Sequence, residues 1–266
     1  MTTVPDRVLT FERCFNFRDL GGYAGLDGRP VRWRRLFRSM TPQYMSDADA
    51  EAVAHLGISL VIDFRGEAYA SSGPLPVDGG TRLALSPAFV QRSDPEYERF
   101  RAAPPQEALP KLLENYGPQY ARALTAMAEQ PDSNLLFHCR LGKDRTGVFA
   151  ALVLKLLGVS DDDVVQDYML TEQQEPFSRR LLDEVEVDEV ARREPNVAKE
   201  PASRPAIEGV LQRLVSQYGG AYGYFAQYGV SAGRLGALVE SALEPPSEAL
   251  RSMASGSSGP GESVPA

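Results

Sequence analysis

Cysteine and histidine are nearly absent from this chain of 266 residues: it has two of each, and one tryptophan. Two cysteines are too few for a disulfide scaffold, and one histidine beside one cysteine is not a zinc-ligand spacing, so no metal and no cofactor is expected. A reduced, cytoplasmic chain follows, with a reversible bridge between Cys14 and Cys139 as the alternative to Cys14 as plain packing. Long apolar runs are missing too. The longest, Val148 to Leu157, is broken by Lys155 and is too short to span a bilayer, so no stable membrane insertion is expected. Met1 to Thr10 contains Pro5 and Asp6 and lacks the apolar core of a signal peptide, which leaves only export without a signal as another route. Positive charge is not in excess either. A formal net charge of −8 removes the overall basic field that general nucleic-acid binding uses, yet it permits a local basic pocket.

What is present is concentrated in one stretch, Phe137-His138-Cys139-Arg140-Leu141-Gly142-Lys143-Asp144-Arg145-Thr146-Gly147. Asn134 to Phe137 reads as a short buried strand. Val148 to Leu157 reads as a buried helix, with Gly158 where a C-cap belongs. A strand, a tight polar loop and a helix form a natural seat for an oxyanion at the helix N-terminus.

The rest of the chain fits an α/β domain. Phe11 to Ser39 alternates turn signals with short strand-like pieces and ends in Leu36-Phe37-Arg38-Ser39. Arg18 and Asp19 read as a turn-stabilising ion pair or as residues approaching the pocket; Arg32, Arg34 and Arg35 read as a solvated edge. Ser46 opens a helix that runs to Gly57 with His55 facing the core, and Ile58 to Ile62 is a buried strand delivering Asp63, Phe64 and Arg65 at its end. From Ser71 to Pro110 prolines cluster, with a short helical candidate at Pro95 to Arg101. Leu109 to Glu129 has helical spacing split by Gly117-Pro118. Ser160-Asp161-Asp162-Asp163 caps a helix to Leu170, Leu181 to Arg193 is a charged helix, and Asn196 to Pro205 is a polar break. Ile207 to Tyr218 and Ala232 to Leu243 close the domain. The expected architecture is a central, mostly parallel sheet flanked by helices. One domain covers residues 1–244, with a helical insertion at about 71–130 that is either an active-site lid or a loosely packed excursion; residues 245–266, rich in Ser, Gly and Pro, form a disordered tail.

The central loop has the parts that phosphoryl transfer to sulfur needs. Five residues separate Cys139 from Arg145, long enough for backbone N–H groups to converge on a phosphate, and Gly142 permits a turn that a side chain would obstruct. Arg145 offers a planar fork for two oxygens. The helix dipole, the N–H groups and Arg145 are expected to favour a Cys139 thiolate, and Thr146 can donate to that thiolate or to the leaving group. Phe137 and Asp144 stand where a nucleotide P-loop needs Gly and Ser or Thr, so that motif is excluded despite Gly142-Lys143.

His138 to Gly147 resembles the signature loop of cysteine-dependent protein tyrosine phosphatases. Its Gly-Lys-Asp-Arg-Thr-Gly form is similar to a bacterial branch that includes mycobacterial tyrosine phosphatase B and related lipid-active phosphatases. Asn16 to Gly22, Leu36 to Ser39, Val61 to Arg65, Asp167 to Leu170 and the region Tyr218 to Tyr228 resemble further blocks of that branch, from about Phe11 to Leu243. The resemblance implies Cys139 as nucleophile, Arg145 as phosphate clamp, and Arg140, Leu141, Gly142, Lys143, Thr146 and Gly147 as substrate-binding positions. Phe64 stands where the branch usually has Leu, and Arg140-Leu141 where small or neutral residues are common. The general acid is Asp144 or Asp63, Asp144 being favoured. The expected partner is a phosphorylated protein, foremost a phosphotyrosine protein; dual-specificity or phosphoinositide hydrolysis is the alternative, since Arg140 and Lys143 add cations. A phosphate-binding module without turnover and sulfur transfer are the readings from other classes. Oligomeric state is left open.

Overall fold

The computed structural model describes residues 6–66, 80–85, 99–100, 102–185 and 200–246. A five-stranded sheet forms its centre: β1 (Arg18–Asp19), β2 (Leu36–Ser39), β3 (Ile58–Asp63), β4 (Thr81–Ala84) and β5 (Asn134–His138), in spatial order β1-β2-β5-β3-β4. Only β1 is antiparallel to its neighbour; the other pairings are parallel. The middle strand, β5, carries Leu135, Leu136 and Phe137 without exposure, as a strand covered on both faces must. In register, Ser39 of β2 and Asp63 of β3 both lie beside His138 of β5, so three strands end together where the signature loop begins.

Pleating sends successive β5 side chains to opposite faces. Leu135 and Phe137 join the large core, whereas Leu136 joins a smaller one with Cys14, Phe17, Phe37, Val53, Val61 and Leu141. Among the described residues, eight α-helices surround the sheet. α1 (Asp47–Ala54) starts with a capping box between Ser46 and Asp49 and covers the small core through Val53. His55 caps its C-terminal end and is exposed, correcting the expectation that it faces the core; the apolar face of this helix is only one residue wide there. α4 (Asp144–Leu156) is buried along almost its whole length and stops at Gly158, whose φ of 83° lets Val159 N–H reach the Leu154 carbonyl at 3.0 Å.

Two expectations are corrected. Residues 71–130 are not a single helical excursion. β4 extends the sheet inside that range, and α2 (Pro105–Asn115) and α3 (Gly117–Glu129) bury Leu109, Leu113, Tyr120 and Leu124 completely in the large core. The split expected at Gly117-Pro118 is where α2 ends and α3 begins, and Pro105 and Pro118 occupy first-turn positions, where a missing N–H costs nothing. Likewise α5 runs unbroken from Asp161 to Val185 through Pro176. Its buried residues Tyr168, Thr171, Glu175, Ser178 and Leu182 form one stripe at helical spacing, so tertiary packing overrides the proline.

α6 (Arg204–Tyr218), α7 (Ala221–Gln227) and α8 (Ala232–Ala242) complete the large core, α6 lying along α2. Tyr218, Tyr224, Phe225 and Tyr228 pack there, Tyr224 donating its hydroxyl to the Leu113 carbonyl at 2.6 Å, whereas Tyr222 is exposed. Arg35, expected on a solvated edge, is buried and donates to the Pro131 and Ser133 carbonyls, and Arg32 donates to the Leu243 carbonyl at 2.8 Å. Among the described residues no helix is long and apolar enough to cross a membrane. The expectations for residues 71–79, 95–98, 186–199 and 247–266 lie outside the described residues.

Candidate active site

Cys139 follows the last residue of β5, and Arg145 sits in the first turn of α4, so Arg140 to Lys143 form the whole connection. Cys139 is buried, only 2% exposed. Two glycines are required by their surroundings. Gly142 has φ of 67°, and a Cβ there would stand 2.2 Å from the Ser39 carbonyl oxygen at the end of β2. A Cβ on Gly147 would meet the Tyr168 ring at 2.7 Å, so this glycine brings α4 against α5.

A buried polar cluster lies against the outer side of the loop. Asn16 donates its Nδ2 to the carbonyls of Leu141 and Gly142 at 3.0 and 3.1 Å, and Arg38 donates to the Gly142 carbonyl at 2.8 Å. Arg38 and Arg18 share the Asp167 carboxylate at 2.6 and 2.9 Å. Arg18 therefore pairs with Asp167 and not with its neighbour Asp19, whose carboxylate instead accepts the Gly21 and Arg34 N–H groups of the turn. Burial disfavours the Asp167 charge, but the two guanidinium groups outweigh it and hold the carboxyl below its usual range.

Lys143 is 1% exposed and pairs with Glu175 of α5 at 3.0 Å; it also donates to the Glu200 carbonyl. Glu175 binds Arg179 and the Ala202 N–H as well. Leu141 packs its side chain into the smaller core. The sequence grouped both with the rim of the pocket; the structure ties both side chains into the protein body. Arg140 is half-buried, and its carbonyl accepts the Thr41 N–H at 2.9 Å.

On the opposite side, Arg145 donates its Nη1 to the Phe64 carbonyl at 3.0 Å, and Tyr120 donates its hydroxyl to the Arg145 carbonyl at 3.0 Å. Phe64 is fixed in turn by edge-on contacts with Tyr120 and Phe149, at centroid separations of 5.3 and 5.0 Å. Asp63 is fully buried and accepts from the Arg65 N–H, the Arg65 side chain and Arg82. Burial alone would raise its pKa, yet His138 and Arg65 together hold the carboxyl well below its ordinary value. His138 is held down to about 4 by burial, against the pull of Asp63, so it is neutral near pH 7. Its Nδ1 lies 3.1 Å from the Cys139 carbonyl and 3.8 Å from Asp63. Asp144 is 9% exposed in the first turn of α4, near enough to the buried Tyr168 that its charge disfavours ionisation of that phenol. The Thr146 hydroxyl is buried and makes no hydrogen bond among the described residues. Cys14 is free and fully buried, and burial pushes its thiol pKa upward.

The structure thus brings Cys139, Asp144, Arg145, Thr146 and Gly147 to one loop and turn, and places Asp63 behind them through His138 and Arg65. Sequence reasoning missed Asn16, Arg38, Asp167 and Glu175 as parts of the site. A signal existed: Asp167 and Glu175 fall on the apolar stripe of α5, and Arg38 interrupts a strand whose other positions are buried.

A parallel α/β sheet that presents a cysteine, a short anion-sized loop and an arginine at a helix N-terminus has the form of a cysteine-dependent phosphatase. The chain belongs to the tyrosine phosphatase family, whose profile matches residues 9–244. It is 40% identical over 174 residues to a Cupriavidus necator protein with a provisional tyrosine-protein phosphatase name, covering 62% of this chain and 63% of that one. A tyrosine-protein phosphatase of Nostoc commune is 31% identical over 203 residues, covering 70% and 67%. The triple specificity protein phosphatase PtpB of Mycobacterium tuberculosis is 30% identical over 204 residues, covering 64% and 71%. The chain thus spans less than two thirds of the length of the Cupriavidus relative.

Proposed function

We propose that the chain hydrolyses phosphate monoesters, foremost phosphotyrosine in proteins, through a cysteinyl-phosphate intermediate and without a metal ion. The observation that carries this reading is the placement of Cys139 at the end of the central strand with Arg145 one short loop away, its guanidinium held by the Phe64 carbonyl. Arg145 holds two phosphate oxygens. The Cys139 sulfur attacks phosphorus in line, the ester P–O bond breaks, and the leaving oxygen takes a proton from Asp144. Water then attacks the thiophosphate, its proton returns to Asp144, and the S–P bond breaks to release inorganic phosphate and the thiolate. The Thr146 hydroxyl donates to the sulfur as it departs.

Asp144 suits the acid role better than Asp63. A carboxylate paired with two arginines and held low in pKa has no proton to give at neutral pH, and Asp63 instead braces Arg65 and His138. Phosphotyrosine is favoured over a polyphosphorylated lipid because Lys143, one of the two extra loop cations, is paired with Glu175, and the nearby Arg65 and Arg82 are paired with Asp63. The location consistent with this reading is the cytoplasm, with the cysteines reduced.

Purified protein should turn over an aryl phosphate in the presence of a chelator, and Cys139→Ser should abolish turnover while retaining phosphate-analogue binding. Activity that vanished with the chelator, or survived the serine variant, would sink the mechanism. Asp144→Asn should remove the basic limb of the pH–rate profile, whereas Asp63→Asn should lower stability and keep that limb.

A further inference from the structure

We propose that Asp167, acting through Arg18, Arg38 and Asn16, is a positioning residue that keeps the loop's N–H groups aimed at the anion. This inference rests on the phosphate-handling reading of the loop. A trans peptide points its C=O and N–H in opposite directions, so whatever fixes a carbonyl also fixes the N–H of the next residue. Three consecutive carbonyls are held from outside. The Arg140 carbonyl accepts the Thr41 N–H at 2.9 Å, Leu141 accepts from Asn16 at 3.0 Å, and Gly142 accepts from both Asn16 at 3.1 Å and Arg38 at 2.8 Å. Their partners across the peptide planes are the N–H groups of Leu141, Gly142 and Lys143, which face the other way. The restraint matters most beside Gly142, where a peptide can rotate at little steric cost and would then present an oxygen to the phosphate.

Asp167 organises the donors. Arg18 donates to Oδ1 at 2.9 Å and, more weakly, to Oδ2 at 3.4 Å, while Arg38 donates its Nη1 to Oδ2 at 2.6 Å, which leaves Arg38 Nη2 directed at the Gly142 carbonyl. Arg18 also donates to Oδ1 of Asn16, and that contact fixes which way the amide is turned: its Nδ2 must face the loop. Asn16 reaches this place from a left-handed backbone, φ 57°, that asparagine tolerates.

The charge balance argues for more than a structural role. One carboxylate and two guanidinium groups, each no more than 1% exposed, carry a net positive charge behind the loop. Burial and the neighbouring Arg18 lower the Arg38 pKa only to about 10, so it remains a cation. A surplus buried charge is costly in an isolated ion pair. It is favourable behind a loop that receives a dianion.

The test uses Asn16→Gly, which keeps the left-handed backbone and deletes the donor, and Arg38→Lys, which keeps the charge and deletes the fork. Three quantities are read on the full chain: the melting temperature, the affinity for inorganic phosphate by calorimetry, and kcat and KM on an aryl phosphate. Both variants should fold, with phosphate affinity and kcat lowered at least about tenfold, as for removal of an oxyanion donor, and with kcat falling more than KM rises. Asn16→Asp, which turns an acceptor toward the carbonyls, should be worse than Asn16→Gly. A folded Asn16→Gly protein with unchanged phosphate affinity and kcat overturns the proposal, and so does a loss confined to melting temperature. If the unaltered chain binds phosphate without turnover, the phosphatase reading fails, while the affinities of the variants still decide this inference.

Discussion

His138 ties the stability of the fold to pH through a single buried ring. Its pKa is about 4 in the folded chain against 6.5 for a free histidine, because burial opposes the charge. The unfolded chain therefore binds the extra proton first, and stability falls as pH drops from 6.5 to 4, by about 3 kcal/mol in all. Urea midpoints measured at pH 7 and pH 5 should show the loss, and His138→Gln should flatten it. Gly142→Ala should be harsh for two additive reasons. The left-handed backbone costs a Cβ-bearing residue about 1–2 kcal/mol, and the new carbon would overlap the Ser39 carbonyl, 2.2 Å away. We expect a melting temperature lower by several degrees and aryl phosphate turnover reduced at least about tenfold, read by calorimetry and initial rates. At this scale the juxtaposition of Cys139 and Arg145 was legible because the loop is local: seven consecutive residues hold both. The roles of Lys143 and Leu141 were not, since their directions depend on α5 and the smaller core, which no spacing rule encodes.

Among elements, α5 is the one whose importance the sequence concealed. Asp167, Glu175 and the Tyr168 ring all reach the signature loop or α4 from this helix, which runs on past Leu170, where the sequence pattern places its end. Glu175 is the more connected half of its ion pair. Replacing Lys143 with Met leaves Glu175 its bonds to Arg179 and the Ala202 N–H, whereas Glu175→Gln removes the carboxylate charge shared by Lys143 and Arg179, the first of them fully buried. Breaking one partner of a buried pair costs about 3–5 kcal/mol. Denaturant unfolding should therefore place Glu175→Gln well below Lys143→Met in stability. Strands and caps, by contrast, were readable: the β-branched run of β3, the capping box of α1 and the glycine after α4 follow from local chemistry alone. The split between α2 and α3 was readable at Gly117, whose missing Cβ admits the Tyr228 ring.

For the molecule as a whole, the closing helix is bound to the first turns of the chain. Arg29 pairs with Glu240 at 2.9 Å, Glu244 N–H reaches the Pro30 carbonyl at 2.8 Å, and Leu235, Leu238 and Leu243 are buried in the large core. A chain ended at Pro246 should keep its melting temperature and turnover, while one ended at Ser231 should fail to fold, as circular dichroism melts would show. The α/β architecture could be anticipated from alternating strand and helix patterns, but not the closure of the far ends, which joins residues more than 200 positions apart. The carbonyl clamp is equally non-local, drawing on residues 16, 38, 142 and 167. Synthesis proceeds from one end, so a ribosome that has just made Gly147 has produced the entire signature but not the carboxylate that gathers its arginines. On the clamp proposed above, the nascent chain has no assembled anion seat until helix α5 emerges.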